Sequence, residues 1–229
     1  MKVILLAAGF GTRLKPLTNN IPKCLVPIKG KPLLQIWLER LTEIGLNEFL
    51  INTHYLSKQV DLFINNGPFK CNCVIKNEST LLGTAGTLLS NLNFIEEEEC
   101  MLVHSDNYCL ADFKEYIIAH NQRPSHCLMT MMTFRTDNPA SCGIIELDEN
   151  KVVIGFHEKV ESPPGNLANG AIYILSNELI KIINDKFSTV TDFSTEILPH
   201  FLNKIYTYET KEVFMDIGTP LSYLKANSI

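Results

Sequence analysis

Lys2-Val3-Ile4-Leu5-Leu6 runs into Ala7-Ala8-Gly9-Phe10-Gly11-Thr12-Arg13-Leu14-Lys15-Pro16-Leu17-Thr18 and then, after three intervening residues, Pro22-Lys23-Cys24-Leu25-Val26-Pro27. The first five residues are a short apolar β-type run, and it ends in a glycine-rich loop. From Pro32, the residues Leu33, Ile36, Trp37, Leu41 and Ile44 recur at helical spacing until Gly45 stops them. Strand, loop and helix in that order read as the opening unit of an α/β fold. Glycines directly after a strand let backbone N–H groups approach a phosphate closely, although a bare glycine pair is more often a tight turn. Two familiar fingerprints fail here. The dinucleotide motif wants a third glycine where Leu14 stands, and neither glycine is followed by the Gly-Lys-Ser/Thr of a Walker A loop.

Further along, residues 49–52, 73–76, 101–104 and 128–134 read as strands, with helical stretches near 57–64, 84–92 and 112–121. Such alternation predicts a mostly parallel sheet covered by helices on both faces. After about residue 140 the texture changes. Stretches 143–147 and 152–157 flank the turn Asp148-Glu149-Asn150, and 168–175 follows Ser162-Pro163-Pro164-Gly165-Asn166, so an antiparallel lobe is expected over about 141–210. Helices near 177–184 and 193–202, a strand near 205–209 and a final helix from Pro220 complete the chain. The expectation is one domain, 1–229, with its core in about 1–140 and a C-terminal return.

Composition narrows the class. A chain of 229 residues, 45% hydrophobic and 20% charged, suits one compact domain with a full core. The longest purely apolar run, Val3 to Ala8, falls far short of the roughly 20 residues of a membrane helix. It is also too short for a signal-peptide core, so no membrane segment and no export signal are expected. Seven cysteines are an odd count, and the close pair Cys71-Asn72-Cys73 lacks C-x-x-C spacing, which points to reduced thiols in a cytoplasm. The net charge of -5 argues against a general nucleic-acid binder. Its distribution says more: residues 1–38 hold Lys2, Arg13, Lys15, Lys23, Lys29 and Lys31 and no acidic residue. An anion site near the N-terminus is one reading of that bias, and a chance surface cluster is the other.

The quoted run resembles the sugar-1-phosphate nucleotidylyltransferase family, whose signature is L-A-x-G-x-G-T-R-L-x-P-L-T followed by P-K-x-L/M-x-P. The likeness continues in order through the chain. Glu78-Ser79-Thr80-Leu81-Leu82-Gly83-Thr84-Ala85-Gly86 resembles the base-recognition segment, and His104-Ser105-Asp106-Asn107 resembles a strand-end G-D-N segment with Ser105 in place of the commoner glycine. Cys142-Gly143, Glu158-Lys159 and Asn169-Gly170 resemble the sugar-site positions, and Phe214-Met215-Asp216-Ile217-Gly218-Thr219-Pro220 resembles W-x-D-I/V-G-T-P. The pattern is most similar to the mannose- and heptose-1-phosphate guanylyltransferase branch.

That resemblance implies a Rossmann-like, doubly wound α/β core with a small antiparallel sugar-binding lobe. It implies nucleotide contacts from Leu6, Ala7, Ala8, Gly9, Gly11, Thr12, Arg13, Lys23, Glu78, Gly83, Thr84 and Asp106. Sugar-phosphate contacts would come from Asn107, Gly143, Glu158, Lys159, Asn169 and Gly170. Arg13, Lys23, Asp106 and Asp216 would be catalytic, with Mg²⁺ held by Asp106 and Asp216. The chemistry agrees, because a phosphate oxygen attacks the α-phosphorus of the triphosphate and no protein nucleophile is needed. Two carboxylates from separated segments can share a magnesium ion that completes its shell with phosphate and water.

Plainer readings stand beside these. Lys23 is also an ordinary solvated lysine by type, Asp106 and Asp216 suit helix caps or turns, and a Glu-Lys pair in a strand is usually a solvated edge. His104 reads as a packing or capping residue, and Cys24 and Cys142 as small filler. The partners implied are an NTP and a sugar 1-phosphate, with homo-oligomerisation left open. With 13 residues after Asp216, a minimal single-activity enzyme without a C-terminal β-helix is expected. A catalytically silent nucleotide-sugar-binding regulator, or a transferase to a non-sugar phosphate, would share much of the pattern. Glu78 suits guanine better than uracil or thymine, because a carboxylate only accepts hydrogen bonds; uridylyl- and thymidylyltransferases of the same family are the alternatives.

Overall fold

A computed structural model describes residues 1–229. The chain forms two compact units. One comprises Met1–Leu81, Val103–Leu110 and Val213–Ile229, and the other Leu82–Leu102 and Ala111–Glu212.

In the first unit, β1 (Lys2–Leu6) leads into three 3-10 turns, Thr12–Leu14, Leu17–Asn19 and Lys23–Leu25. A two-residue ribbon follows, β2 (Pro27–Ile28) with β3 (Lys31–Pro32), and then α1 (Leu33–Thr42), β4 (Phe49–Thr53), α2 (Ser57–Asn65) and β5 (Cys73–Asn77). Strand β4 pairs parallel with β1, placing Asn52 opposite Leu6, and parallel with β5 on its other side. Every residue of β4 is buried, as expected of a parallel strand covered on both faces. Helix α1 turns Leu33, Leu34, Trp37, Leu38 and Leu41 inward; of the positions that the sequence spacing picks out, Leu33, Trp37 and Leu41 are buried, Ile36 is half-buried and Ile44 lies beyond the helix.

The second unit starts with α3 (Gly83–Ser90), α4 (Leu92–Ile95) and most of β6 (Cys100–His104). The chain then returns to the first unit for β7 (Asn107–Cys109). Helix α5 (Phe113–Asn121), β8 (Met129–Arg135), β9 (Gly143–Leu147), β10 (Val153–Glu158) and β11 (Leu167–Leu175) resume the second unit. Helices α6 (Asn177–Lys186) and α7 (Phe193–Glu196) and strand β12 (Ile205–Glu209) complete it. Strand β8 lies between β11, antiparallel, and β12, parallel, while β9 pairs antiparallel with both β10 and β11. This unit is larger than the lobe expected over 141–210. Its extra part folds with it because β8 is the pairing partner of β11 and β12, and because the buried Tyr116 of α5 sets its hydroxyl 2.8 Å from Thr130 O and 2.9 Å from Ile172 O. The last elements, β13 (Phe214–Asp216) and α8 (Pro220–Ser228), belong to the first unit, and Thr219 caps α8 through a reciprocal bond pair with Ser222.

Two of the differences between sequence and structure have a direct physical cause. The helix expected over 193–202 is two pieces, α7 and a 3-10 turn Leu198–Phe201, because Pro199 cannot continue an α-helix and restricts the residue before it. The antiparallel ribbon β7–β13 has no counterpart in the sequence reading, since three-residue strands carry no readable period. No helix is long and apolar enough to cross a membrane. All seven cysteines are free, and burial pushes the Cys24 thiol up to about 12, in keeping with its reading as inert filler.

One buried group makes stability depend on pH. His120 is enclosed, with Nδ1 2.8 Å from Thr130 Oγ1 and Nε2 3.1 Å from Glu99 Oε1. Burial, then the Arg123 charge, pushes its pKa down to about 4 from 6.5, with Glu99 opposing in part. Between those values the unfolded chain binds a proton that the folded chain does not, so stability falls as the pH drops through that window. Urea unfolding should therefore show a loss on the order of 2 kcal/mol between about pH 7 and pH 5, and most of that slope should vanish in His120→Gln. An unchanged slope in the variant would remove His120 from the account.

Candidate active site

Within the first unit, the 3-10 turn Lys23–Leu25 delivers a nearly buried lysine to two carboxylates. Lys23 Nζ is 2.6 Å from Asp106 Oδ2 and 3.2 Å from Asp216 Oδ1. The Lys23 side chain is 9% exposed, whereas Asp106 and Asp216 are 37% and 49% exposed, so the ammonium sits beneath carboxylates that still face solvent. The ribbon β7–β13 brings the two acids together although 110 positions separate them. Asp216 lies opposite Asn107 in the register, and Ile217 N donates to Asp106 O at 3.1 Å. Trp37, inside the core on α1, anchors the ribbon by donating Nε1–H to Asn107 O at 2.8 Å. Arg13, exposed on its own turn, places Nη2 3.5 Å from Asp216 Oδ2. Desolvation works against the charge on Asp106, but Lys23 and, next, His104 outweigh it and hold the carboxyl below its ordinary value.

The glycine loop has the conformation its sequence requires. Gly11 has φ +62°, and a Cβ there would lie 2.9 Å from Thr18 Cγ2 and 3.2 Å from Lys23 Cβ. Only glycine suits both demands. Thr18 Oγ1 donates to Gly11 O at 2.7 Å, which folds the loop back over the base of Lys23. Around Gly9 there is open space, so the backbone stays accessible at that point. Thr12 and Arg13 are exposed, Ala8 is buried, and Leu6 and Ala7 are half-buried. The end of β6 is tied to Leu6 by Ser105, whose N–H and hydroxyl both donate to Leu6 O at 3.2 and 2.7 Å. A serine in place of the usual glycine therefore adds a bond to β1.

Glu78 is buried at the entry to the next loop. Its N–H donates to Thr53 O at 2.8 Å, its O accepts from His54 Nδ1 at 2.8 Å, and its Oε1 accepts from Asn52 Nδ2 at 2.8 Å. Asn52 is a residue that the sequence reading misses. Its one signal there is a polar side chain directly after the apolar run Phe49-Leu50-Ile51.

The remaining sequence-predicted residues lie in the second unit. Gly83 has φ +76°, and a Cβ there would meet Thr191 O at 2.4 Å, so it is confined to glycine. The Thr84 hydroxyl accepts from Phe193 N at 2.7 Å, binding the start of α3 to α7. Gly143 and Glu158 are paired in the β9–β10 register, and a Cβ on Gly143 would come within 2.6 Å of Glu158 Oε2. The missing side chain is thus the room Glu158 occupies. Lys159 holds φ +50° and pairs with Glu158 at 2.9 Å, leaving its side chain two-thirds exposed. Asn169 Nδ2 donates to Tyr173 Oη at 2.7 Å, and Asn169 Oδ1 accepts from Ala171 N at 2.8 Å, shaping the irregular stretch of β11 that contains Gly170. Burial pushes the Tyr173 phenol upward, and Ser194 also bonds it. Neither Tyr173 nor Ser194 is a site residue by sequence pattern. Asn107, grouped with the sugar contacts from sequence, stands on the ribbon opposite Asp216 in the first unit.

A parallel β1–β4–β5 layer with a glycine loop after its first strand, and a lysine joining two carboxylates at strand ends, defines an α/β protein equipped to place charge around a phosphorylated ligand. The chain belongs to the nucleotidyl transferase family, whose model matches residues 2–229. It is 29% identical to mannose-1-phosphate guanyltransferase 2 of Candida glabrata, over 100% of this chain and 64% of that protein. Against the mannose-1-phosphate guanylyltransferase catalytic subunit beta of Dictyostelium discoideum it is 28% identical, over 98% of this chain and 63% of the relative. The chain thus spans a little under two-thirds of the length of these curated relatives. The crystal structure of HddC from Yersinia pseudotuberculosis complexed with GMP-PN superposes with a TM-score of 0.82 at 30% identity, covering 99% of this chain and 98% of that one.

Proposed function

We propose that the protein transfers a nucleotidyl group from an NTP, preferentially GTP, to a mannose- or heptose-type sugar 1-phosphate. An oxygen of the sugar phosphate bonds to the α-phosphorus, the bond from that phosphorus to the α,β-bridging oxygen breaks, and pyrophosphate leaves with the electron pair. The observation that carries this reading is the convergence of Lys23, Asp106, Asp216 and Arg13 on one point beside the glycine loop. Such a reaction requires positioned charge and no protein nucleophile.

Mg²⁺ fits this donor set. Asp106 Oδ2 and Asp216 Oδ1 already converge on a single cation, the Lys23 ammonium, both acids are partly exposed, and both present hard oxygen donors. With two carboxylates supplied by the protein, water and phosphate oxygens would complete the shell; when bound, the ion would neutralise charge on the triphosphate. Lys23 and Arg13 add positive charge on the same path, and the Gly9 to Gly11 backbone offers N–H groups. Glu158 and Asn169 would accept from and donate to sugar hydroxyls, with Lys159 on the incoming phosphate. A cytoplasmic setting, with its cysteines kept as thiols, goes with this reading.

Support for guanine comes from two directions. Glu78 presents a buried acceptor, and guanine carries N1–H and N2–H₂ side by side as donors. The relatives named above are mannose-1-phosphate guanyltransferases, and the HddC structure holds GMP-PN. Isothermal titration with GTP, UTP and dTTP tests the choice: GTP should bind most tightly, and a clear preference for UTP or dTTP would overturn the guanylyltransferase reading.

The division between lobes has its own test. Lys159→Ala should raise the KM for the sugar phosphate about tenfold or more with little change in the NTP parameters, because its exposed ammonium would meet only the incoming phosphate. Steady-state kinetics with each substrate varied in turn decide it, and an effect confined to the NTP would contradict the assignment.

A further inference from the structure

We propose that Asn52 is a specificity-positioning residue: without reaching the nucleotide, it holds the Glu78 carboxylate and the first amide of the glycine loop in one fixed relation. The inference rests on the reading of Glu78 as the base contact. Asn52 lies near the end of a strand that is buried throughout, and it is itself 3% exposed. A primary amide costs free energy there unless both of its ends are paired. Both are. Its Oδ1 accepts from Ala7 N at 2.7 Å, and its Nδ2 donates to Glu78 Oε1 at 2.8 Å. The polarity is forced, since a flipped amide would set NH₂ against N–H and oxygen against carboxylate.

The residues after Asn52 reinforce the clamp. Thr53 O and His54 Nδ1 take the two backbone groups of Glu78, and the His54 ring meets the Phe10 ring of the glycine loop edge-on at 5.4 Å. One strand end therefore grips both the loop proposed for the phosphates and the residue proposed for the base. Asn52 fixes which carboxylate oxygen is engaged and how the plane of the group is turned, and so which hydrogen-bond pattern the base must present.

Exchanging the polarity of the pair tests this. In Asn52→Asp the Ala7 bond survives, but a carboxylate faces Glu78. In Glu78→Gln, Asn52 still donates to the amide oxygen, which turns the new NH₂ toward the base. In the double variant the carboxylate introduced at position 52 accepts from that NH₂, and the amide oxygen turns back to the base as an acceptor. Titration with GTP, UTP and dTTP should show that each single variant cuts the preference for the best NTP by about tenfold. The double variant should recover preference relative to Glu78→Gln alone, and the KM for sugar 1-phosphate should move little in all three. If Asn52→Asp does not fold, Asn52→Ser, which removes both contacts without adding charge, replaces it with the same expected loss. A purely structural role would lower the melting temperature while leaving the preference ratio intact and giving no recovery, and that result would overturn the proposal. Preference of the parent for UTP or dTTP would instead sink the guanine reading, with the Asn52 proposal still judged by the change in ratio.

Discussion

Asp106→Asn and Asp216→Asn should each lower kcat by about 10²- to 10³-fold at saturating Mg²⁺ while the fold is retained. Each replacement is close to isosteric and removes one negative charge from the point where both acids meet Lys23. An amide keeps one acceptor oxygen, so the ribbon β7–β13 and its backbone bond from Ile217 N to Asp106 O survive. Charge, not shape, is what the variants lose. A two-carboxylate cation site reduced to one carboxylate holds a divalent ion far less well, and the shortfall should appear as a raised Mg²⁺ requirement as well as a lowered kcat. Circular dichroism and the melting temperature provide the control. Activity within tenfold of the parent in either variant would show that the pair is not the metal-handling centre.

Lys23→Ala is the second large effect expected. The ammonium is nearly enclosed and bonds two acids at once, so its removal leaves Asp106 and Asp216 facing each other without a cation between them. Without Mg²⁺, their mutual repulsion would loosen the ribbon. With Mg²⁺ and NTP bound, the loss should fall on the chemical step, again about 10²- to 10³-fold in kcat, with a smaller change in NTP affinity. Because lysine and acids act as one cluster, Lys23→Ala combined with Asp106→Asn should cost little more than either change alone. Multiplicative losses in the double variant would mean that the three groups act independently.

The legible part of this molecule is the part written in long periodic segments and in close-set motifs. Val3 to Leu6, the helical stripe of Leu33 to Leu41 and the strand at Phe49 declare themselves because burial on both faces or on one stripe demands apolar residues at fixed spacing. Lys23, Asp106 and Asp216 can be named in advance from pattern resemblance, but not their contact. That contact depends on the ribbon β7–β13, three residues a side, whose pairing is fixed by Trp37 and by backbone bonds that leave no trace in residue spacing. Asn52 escapes a sequence reading for a related reason: a single polar residue in a strand is usually an end effect, and its two partners, Ala7 and Glu78, lie 45 positions before it and 26 after. The break at Pro199 is readable in principle, but the apolar spacing of Phe193, Ile197 and Phe201 masks it.

The central claim, that the Lys23–Asp106–Asp216 cluster serves nucleotidyl transfer to a sugar phosphate, is tested most directly by pyrophosphate release. The purified chain is given each of GTP, UTP, dTTP, ATP and CTP with Mg²⁺ and a panel of hexose and heptose 1-phosphates. Rapid release should occur with GTP, depend strictly on a sugar 1-phosphate of the mannose or heptose type, and vanish on chelation of the metal and in Asp216→Asn. Release that ignores the sugar phosphate, or no release with any pairing, would contradict the account.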